Sequence, residues 1–211
     1  MTNINSWLKI FQEHLYAKFP GRIYFFGLQG SYARGEAKET SDIDVVVIFD
    51  TLTIEDIRRY RDMLDELPER DKICGFLSGR DELLKWDTAD LFQFYHDTLP
   101  IKGTLDELVA LIDDEAVKRA VHTGVCNIYH ACVHNCLHER DSEILKGLYK
   151  SAGFVIQAAY FLRTGVYVKN HSELSELVSS IESEILEPET SDFDVLSQKL
   201  FMWSGNEIKS K

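Results

Sequence analysis

Two short apolar runs near the N-terminal end constrain the fold of this chain more than any other feature. One covers residues 23–28 and is flanked by glycines; the other covers residues 43–49 and is apolar at every position except Asp44. Short runs that are apolar on both faces are typical of interior strands in a sheet covered on both sides. The sequence therefore predicts a buried sheet with helices packed against it.

Helices and further strands are predicted around these two runs. Apolar residues recur at helical spacing over residues 4–19, and Pro20 and Gly21 stop that helix. Thr53 and Asp56 form the start signal of another helix, which Pro68 ends. The remaining elements predicted in this half are a short helix over residues 31–37, a strand over 72–78, helical pieces at 83–86 and 91–95, and a strand over 98–101.

The apolar pattern becomes helical beyond Gly103. Thr104 and Glu107 predict a capping box for a helix that reaches residue 112. Further helices are expected over residues 115–138, 143–162, 174–185 and 193–203, with residues 204–211 frayed. We therefore predict an α+β protein in which a sheet-containing domain, residues 1–102, precedes an all-helical domain, residues 103–211.

Composition excludes some functions for a chain of this kind. Thirty-five acidic residues against 23 Lys and Arg give a formal net charge of −12, which argues against nucleic acid as a partner because phosphate backbones are bound by clustered cations. The excess of acidic over basic residues favours the binding of ligands that are cationic or chelated to a metal ion. The four cysteines do not form a secreted disulfide pattern, and neither a leader nor an apolar stretch of about 18 residues is present. We expect a cytoplasmic protein that does not associate with membranes.

The segment between the two apolar runs carries the chemistry. Asp42 and Asp44 lie two residues apart at the start of a strand, so the period of two places both carboxylates on one face. Paired carboxylates repel each other unless a divalent cation neutralises them, and Mg²⁺ is commonly held by one or two carboxylates plus substrate phosphates. Gly30 and Ser31 follow the preceding strand, where backbone N–H groups and a hydroxyl can meet a polyphosphate. Together these residues indicate phosphoryl or nucleotidyl transfer; separately, each is ordinary turn chemistry.

These residues resemble the motif of a known superfamily. Gly30-Ser31-x-Ala-Arg-Gly followed by Ser41-Asp42-x-Asp44 on a strand is similar to the polymerase-β-type nucleotidyltransferases, over about residues 25–50. The order of strands and helices continues to about residue 101. The helical half resembles the substrate domain of the kanamycin-type antibiotic nucleotidyltransferases in the order and size of its elements.

The resemblance implies a small mixed-sheet nucleotidyltransferase domain, a helical bundle domain and an active cleft between them. It implies that Asp42 and Asp44 bind Mg²⁺, that Gly30 and Ser31 bind the β- and γ-phosphates, and that Arg34 assists. The implied reaction is attack by a hydroxyl of a small, hydroxylated and cationic acceptor on the α-phosphorus of a nucleoside triphosphate. The donor is expected to be ATP, so that AMP is transferred and pyrophosphate is released.

The carboxylates depart from the family pattern at one point. Such enzymes commonly carry a third carboxylate on the next core strand, but the strand predicted over residues 72–78 has none; Asp71 lies at its edge and Asp90 well beyond it. In the kanamycin-type enzymes a carboxylate of the helical domain acts as base, for which Glu139 is a candidate. His134 is an alternative, because a neutral imidazole can accept the proton of a hydroxyl.

Two other functions stay open with the same residues. The chain could transfer AMP to a protein side chain, or it could be an antitoxin-like module that binds nucleotide without turnover. Association into a homodimer through aromatic residues such as Tyr167 or Trp203 is a further hypothesis.

Three features of the helical half have both a structural and a functional interpretation. Residues 122–138 carry His or Cys at every fourth position, which suits core packing, the lining of a substrate cleft or a zinc site. Lys150 could contact the triphosphate or lie at the surface. The acid-rich stretch over residues 170–198 forms either a solvated helix face or a wall that attracts a cationic substrate.

Overall fold

The first of two compact units contains the sheet. The computed structural model describes residues 2–210, and residues 2–87 and 94–111 form this unit. Its elements, in chain order, are α1 (Ile4–Lys18), β1 (Ile23–Gln29), α2 (Gly30–Arg34), β2 (Ile43–Phe49), α3 (Ile54–Leu64), a 3-10 turn (Arg70–Lys72), β3 (Ile73–Gly79), α4 (Arg80–Leu83), α5 (Thr88–Asp97), β4 (Leu99–Lys102) and α6 (Asp106–Val109).

The sheet has four strands in the order β3-β2-β1-β4. β1 runs antiparallel to both β2 and β4, whereas β2 and β3 are parallel. A mixed sheet with helices before and after its strands confirms the predicted α+β class. The predicted strands are confirmed as well, and β2 has the predicted bounds.

One face of the sheet carries an aromatic core. Phe11 of α1 stacks on Phe26 of β1 with ring centroids 5.3 Å apart, and Trp7 lies 5.2 Å from Phe11 on the same helix. Ile43, Val45, Val47 and Phe49 are the residues of β2 that join this core. Because side chains alternate along a strand, Asp44 points to the opposite face. The hydrophobic pattern of β2 therefore fixes the face on which the motif carboxylate lies.

A buried carboxylate fixes the start of α3, as the sequence predicts. Asp56 is 4% exposed, and its Oδ2 accepts hydrogen bonds from the Thr53 amide at 3.0 Å and from the Thr53 hydroxyl at 2.7 Å. The guanidinium of Arg22 donates to the same oxygen at 3.0 Å. The hydrogen bonds from Thr53, followed by the bond and charge of Arg22, hold the pKa of Asp56 below its usual value against the effect of burial.

Replacing Asp56 by alanine removes the reciprocal capping bond. We expect the free energy of unfolding to fall by about 1–2 kcal/mol. Since the pKa of Asp56 is lowered in the folded state, its contribution is present above the unfolded value and is lost as the pH falls through the folded value. Urea unfolding followed by circular dichroism at about pH 7 and about pH 3 should show the difference from wild type shrinking in acid.

Glu55→Gln provides the control for this prediction. Glu55 lies next to Asp56 in the same first turn, but it is exposed and pairs only with Arg58 at 3.3 Å. Its replacement should change stability by less than about 0.5 kcal/mol. Equal losses for the two variants would contradict the role given to Asp56.

The second unit is all-helical and comprises residues 88–93 and 112–210. Its core is formed mainly where α8 and α11 pack against α7. Phe92, in the first half of α5, belongs to this core, with ring centroids 5.0 Å from Phe161 and 5.7 Å from Tyr167. Its helices are α7 (Asp114–His134) continued by a π-helical turn (Asn135–Glu139), α8 (Ser142–Thr164), α9 (His171–Ser175), α10 (Ser180–Leu186) and α11 (Phe193–Lys209).

Two predictions about this unit were wrong. The single helix expected over residues 174–185 is two helices, because Ser179 and Glu182 form a capping box that starts α10. The expected fraying after Trp203 does not occur, since α11 continues to Lys209. Ser204 is fully buried, so this part of the helix packs into the core, and its hydroxyl donates to the Leu200 carbonyl of the same helix at 2.7 Å.

The burial of Trp203 also removes it from the residues proposed for a dimer contact. Its side chain is 2% exposed and packs within the core of the helical unit. Tyr167 is half-buried against Phe92. The hypothesis of a homodimer through these two residues therefore loses its support.

The helix predicted from Thr104 to residue 112 is shorter than expected. Thr104 accepts from the amide of Asp106 at 3.1 Å, rather than from that of Glu107 as a capping box requires. The carboxylate of Glu107 instead binds the guanidinium of Arg80 at 2.7 Å and 3.0 Å, as well as the hydroxyl of Tyr24. These bonds tie α6 to the sheet-containing unit, which ends at Leu111 and not at the predicted residue 102.

None of the helices formed by residues 2–210 combines the length and the apolar character needed to cross a membrane.

Candidate nucleotide-binding site

Gly30 is the residue around which the candidate site is built. It follows β1 directly and begins α2 with a φ of 67°, in the left-handed region that favours glycine. A Cβ placed on Gly30 would lie 2.0 Å from Oδ2 of Asp44. The carboxylate of Asp44 therefore rests against the backbone of the turn, and only a residue without a side chain permits this contact.

Strand pairing brings the two halves of the motif together. Asp44 of β2 is in register with Gln29 of β1, the residue immediately before Gly30. Asp44 is half-buried, whereas Asp42 is exposed and lies just ahead of β2. Antiparallel pairing thus joins residues that the sequence separates by the whole intervening loop, and it places the Asp44 carboxylate beside the turn.

The helix predicted over residues 31–37 is confirmed in a shorter form. α2 ends at Arg34, because Gly35 adopts a left-handed φ of 75°. The carbonyl of Ser31 accepts the amide of Glu36 at 2.8 Å, which closes the turn. Ser31 itself is half-buried next to Gly30. The structure therefore places the predicted phosphate-binding pair, Gly30 and Ser31, together on a tight and compact turn.

Arg34 lies in a buried ion-pair network. Its side chain is 7% exposed, its Nε lies 3.0 Å from Oε2 of Glu36, and its Nη1 lies 3.9 Å from Oδ2 of Asp97. Asp97 is itself 6% exposed. In this arrangement the guanidinium pairs with carboxylates of the protein at the end of α2. The assistance predicted for Arg34 stays a prediction.

Sequence reasoning missed three residues next to the turn. Gln29 donates its side-chain amide to the hydroxyl of Thr98 at 2.7 Å and to the carbonyl of Phe94 at 3.3 Å. Asp97, the partner of Arg34, lies between those two residues at the junction of α5 and β4. Gln29 directly precedes Gly30, but its side-chain partners are distant in the sequence. No local pattern could identify Asp97 or Thr98, because they come near the turn through the pairing of β1 with β4.

The position beside Asp44 on the next strand is occupied by a cysteine. Asp44 is in register with Cys74 of β3, and Cys74 is exposed. Asp71 lies in the 3-10 turn before β3, and Asp90 lies in the part of α5 that belongs to the helical unit. Within residues 2–210 there is no group of three or more His, Cys, Asp or Glu side chains arranged to hold a metal ion.

The remaining candidates belong to the helical unit, whereas the motif residues belong to the sheet-containing unit. His134 ends α7, and its ring centroid lies 4.8 Å from that of His138 in the π-helical turn. Glu139 ends that turn, and Lys150 lies on α8. His134, Glu139 and Lys150 are all exposed, which leaves their side chains accessible to a ligand.

The histidine and cysteine positions of α7 do not converge on one centre. His122 Nε2 and Cys126 Sγ lie 3.9 Å apart at the surface. Cys132 is fully buried in the core, and burial raises the pKa of its thiol to about 12. The packing interpretation fits Cys132, and the described part of the chain offers no ligand set for the zinc interpretation.

Several acids of the stretch over residues 170–198 have structural partners. Glu182 is 4% exposed and its carboxylate accepts from Arg163 at 3.0 Å. Glu184 lies 2.6 Å from Lys199. Asp192 caps the start of α11. These contacts favour the structural interpretation for part of the stretch and reduce the charge left to attract a cationic ligand.

Residues 8–111 match the family model of the nucleotidyltransferase domain. This match covers the sheet, the turn at Gly30 and both motif aspartates, and this part of the chain belongs to that family. The match supports the predicted enzyme class, a nucleotidyltransferase. The predicted family resemblance is confirmed.

The fold of the whole chain is also similar to that of a solved enzyme. A spectinomycin adenyltransferase from Enterococcus faecialis, solved with ATP and spectinomycin, matches with a TM-score of 0.56 and 13% identity. The match covers 97% of this chain and 99% of that chain. The predicted likeness to antibiotic nucleotidyltransferases therefore holds at the level of the fold, helical half included. No curated protein matches the chain in sequence.

Gly30→Ala tests whether the contact with Asp44 matters for nucleotide binding. The new methyl group would meet the carboxylate, so we expect the Kd for ATP with Mg²⁺ to rise by about tenfold or more, equivalent to about 1.4 kcal/mol. Isothermal titration calorimetry of the purified variant measures this change.

Gly35→Ala is the matched control for this substitution. Gly35 has a similar φ of 75°, but a Cβ there would meet no atom within 4 Å. Both variants carry the same backbone strain, whereas only Gly30→Ala disturbs Asp44. A similar loss of ATP affinity in both would show that strain, and not the carboxylate, is responsible.

Proposed function

We propose that this chain is an adenylyltransferase that moves AMP from ATP to a hydroxyl of a small-molecule acceptor and releases pyrophosphate. The contact between the Gly30 backbone and the Asp44 carboxylate carries this proposal. It places the carboxylate proposed to hold the metal ion next to the backbone proposed to bind phosphate, and nucleotidyl transfer needs both groups in one site.

Asp42 and Asp44 are the residues proposed to hold Mg²⁺. Their carboxylate oxygens are the hard ligands that this ion prefers, and two protein carboxylates plus substrate phosphates are an ordinary Mg²⁺ coordination set. The Asp44 carboxylate lies directly against the Gly30 backbone, so an ion held by Asp44 would lie next to the turn proposed to bind the phosphates. When bound, the ion would neutralise charge on the phosphates and orient them.

The turn itself is proposed to bind the β- and γ-phosphates. The amide of Gly30 and the hydroxyl of Ser31 lie where β1 passes into α2, next to Asp44. A left-handed glycine leaves its backbone open to close approach by a ligand. Donors at this point would keep the leaving pyrophosphate fixed while the α-phosphorus is attacked.

The acceptor is proposed to be small, hydroxylated and cationic. The structurally similar enzyme was solved with spectinomycin beside ATP, and the net charge of −12 favours cationic ligands over nucleic acid. Lys150, which is exposed on α8, is proposed as a further contact for the triphosphate.

A nucleotide-binding module without turnover is the second candidate. The observation that favours it is Cys74, which occupies the position beside Asp44 on β3 where the related enzymes commonly carry a further carboxylate. Binding of ATP with Mg²⁺ without pyrophosphate release for any acceptor would support this candidate. Label from ATP on a protein, and not on small acceptors, would instead support AMP transfer to a side chain.

Asp42→Asn combined with Asp44→Asn tests the reaction. Because both proposed metal ligands lose their charge, we expect pyrophosphate release from ATP with a panel of hydroxylated amines to fall below detection. The Tm should stay close to that of wild type, since neither side chain belongs to the apolar core. Coupled pyrophosphate assays and differential scanning calorimetry measure the two quantities.

Asp50→Asn is the control for the double variant. Asp50 is an exposed aspartate that follows the other end of β2, so its replacement should leave turnover unchanged. A double variant that releases pyrophosphate at the wild-type rate would show that the site is elsewhere.

The catalytic base is proposed to be His134, which ends α7, or Glu139, which ends the π-helical turn; both are exposed. Replacing the base should lower kcat by a factor of about 100 or more, because a positioned base contributes that much to proton removal. Glu139→Gln and His134→Asn, measured at saturating ATP, distinguish the two residues. A rate that neither substitution changes would exclude both.

A further inference from the structure

We propose that Asp97 is a positioning residue that acts through Arg34 to hold the turn carrying Gly30 and Ser31. This inference rests on the proposed function, because it assigns a nucleotide-binding purpose to the network around that turn. It concerns residues of the sheet-containing unit alone.

The helix α2 is too short to be stable without contacts to other elements. It contains only five residues, and helices this short are unstable in water because the cost of nucleation is not recovered. Gly30 has no side chain to restrict its backbone, so its left-handed conformation is one of several that it can adopt. The position of the turn must therefore be fixed by contacts with other elements.

The last residue of α2 is anchored by a buried ion pair. The Arg34 guanidinium lies 3.9 Å from the Asp97 carboxylate, with side chains 7% and 8% exposed. Glu36, the second carboxylate on Arg34, is 29% exposed and belongs to the loop after the turn. Asp97 is thus the buried partner that ties Arg34 to a separate element, the end of α5.

The residue before α2 is anchored to the same junction. Gln29 donates to Thr98 at 2.7 Å and to Phe94 at 3.3 Å, and the Thr98 hydroxyl donates to the Phe94 carbonyl. Thr98 is 4% exposed. Both ends of the turn are therefore held by residues 94–98, where α5 passes into β4.

Loss of either anchor should affect nucleotide binding more than the fold. Low dielectric around a buried pair strengthens its attraction. Without the Asp97 charge, Arg34 still pairs with Glu36 of the following loop, but its buried link to the end of α5 is lost, and the backbone that carries Arg34 can shift. Since Gly30 rests against Asp44, a small displacement separates the proposed phosphate donors from the proposed metal ligands.

The test variant is Asp97→Asn, which keeps the shape of the side chain and removes its charge. We expect amide hydrogen exchange of residues 30–34 to become about tenfold faster in the absence of nucleotide. The Kd and the KM for ATP with Mg²⁺ should rise about tenfold, whereas the KM for the acceptor stays unchanged. Arg34→Lys should give the same direction of change, and it replaces Asp97→Asn if that variant does not fold.

Asp56→Asn is the matched control. Asp56 is also a buried aspartate paired with an arginine in this unit, but its partner Arg22 lies at the opposite end of β1. Its replacement should lower the Tm and leave both exchange at residues 30–34 and the Kd for ATP unchanged. Asp97→Glu, which retains the charge, should keep the Kd within about threefold of wild type.

The outcomes separate this inference from the proposed function. Unchanged ATP affinity in Asp97→Asn or Arg34→Lys, with wild type binding normally, would overturn the positioning role alone. Equal losses of affinity in Asp97→Asn and Asp56→Asn would also overturn it, because both would then report general destabilisation. A wild-type chain that binds no ATP with Mg²⁺ would overturn the proposed function. It would also overturn the nucleotide-binding role assigned to the contacts around the turn.

Discussion

The antiparallel pairing of β1 with β2 is the interaction on which the site depends. It places Gln29 opposite Asp44 and brings the carboxylate against the backbone of Gly30. A side chain at position 30 would occupy the volume of that carboxylate. The observed position of the Asp44 side chain therefore requires a glycine at residue 30, although the two residues are distant in the sequence. The buried core on the other face of β2 supports this pairing, because a register slip of one residue would exchange Asp44 with its apolar neighbours.

Buried ion pairs have two separate roles in the sheet-containing unit. Arg22 and Asp56 join the start of β1 to the capping box of α3, where they stabilise the fold. Arg34 and Asp97 lie at the other end of β1 and join the turn to the α5–β4 junction. Both aspartates are buried, but Arg22 is 39% exposed whereas Arg34 is 7% exposed. Only the second pair is connected to the groups proposed to bind nucleotide.

The sequence anticipated those elements whose signals are local. β2 has its predicted bounds because a run of seven residues with a single polar position fits no other type of buried element than a strand. The capping box at Thr53 and Asp56 was recognisable since its two partners lie three residues apart. The capping box predicted at Glu107 was wrong because a tertiary contact competed with the local signal. Glu107 binds Arg80 and Tyr24 instead of capping its own helix.

The sequence by itself determined the α+β class, the nucleotidyltransferase motif and the identities of Gly30, Ser31, Asp42 and Asp44, because these depend on residue type and short spacing. Only the tertiary structure decided the ion-pair partners of Arg34, the presence of Asp97 and Thr98 beside the turn, and the burial of Trp203. The physical reason is the same in each case. Strand pairing and packing decide which residue distant in the sequence a side chain contacts. Neither produces a periodic pattern in the sequence around that side chain.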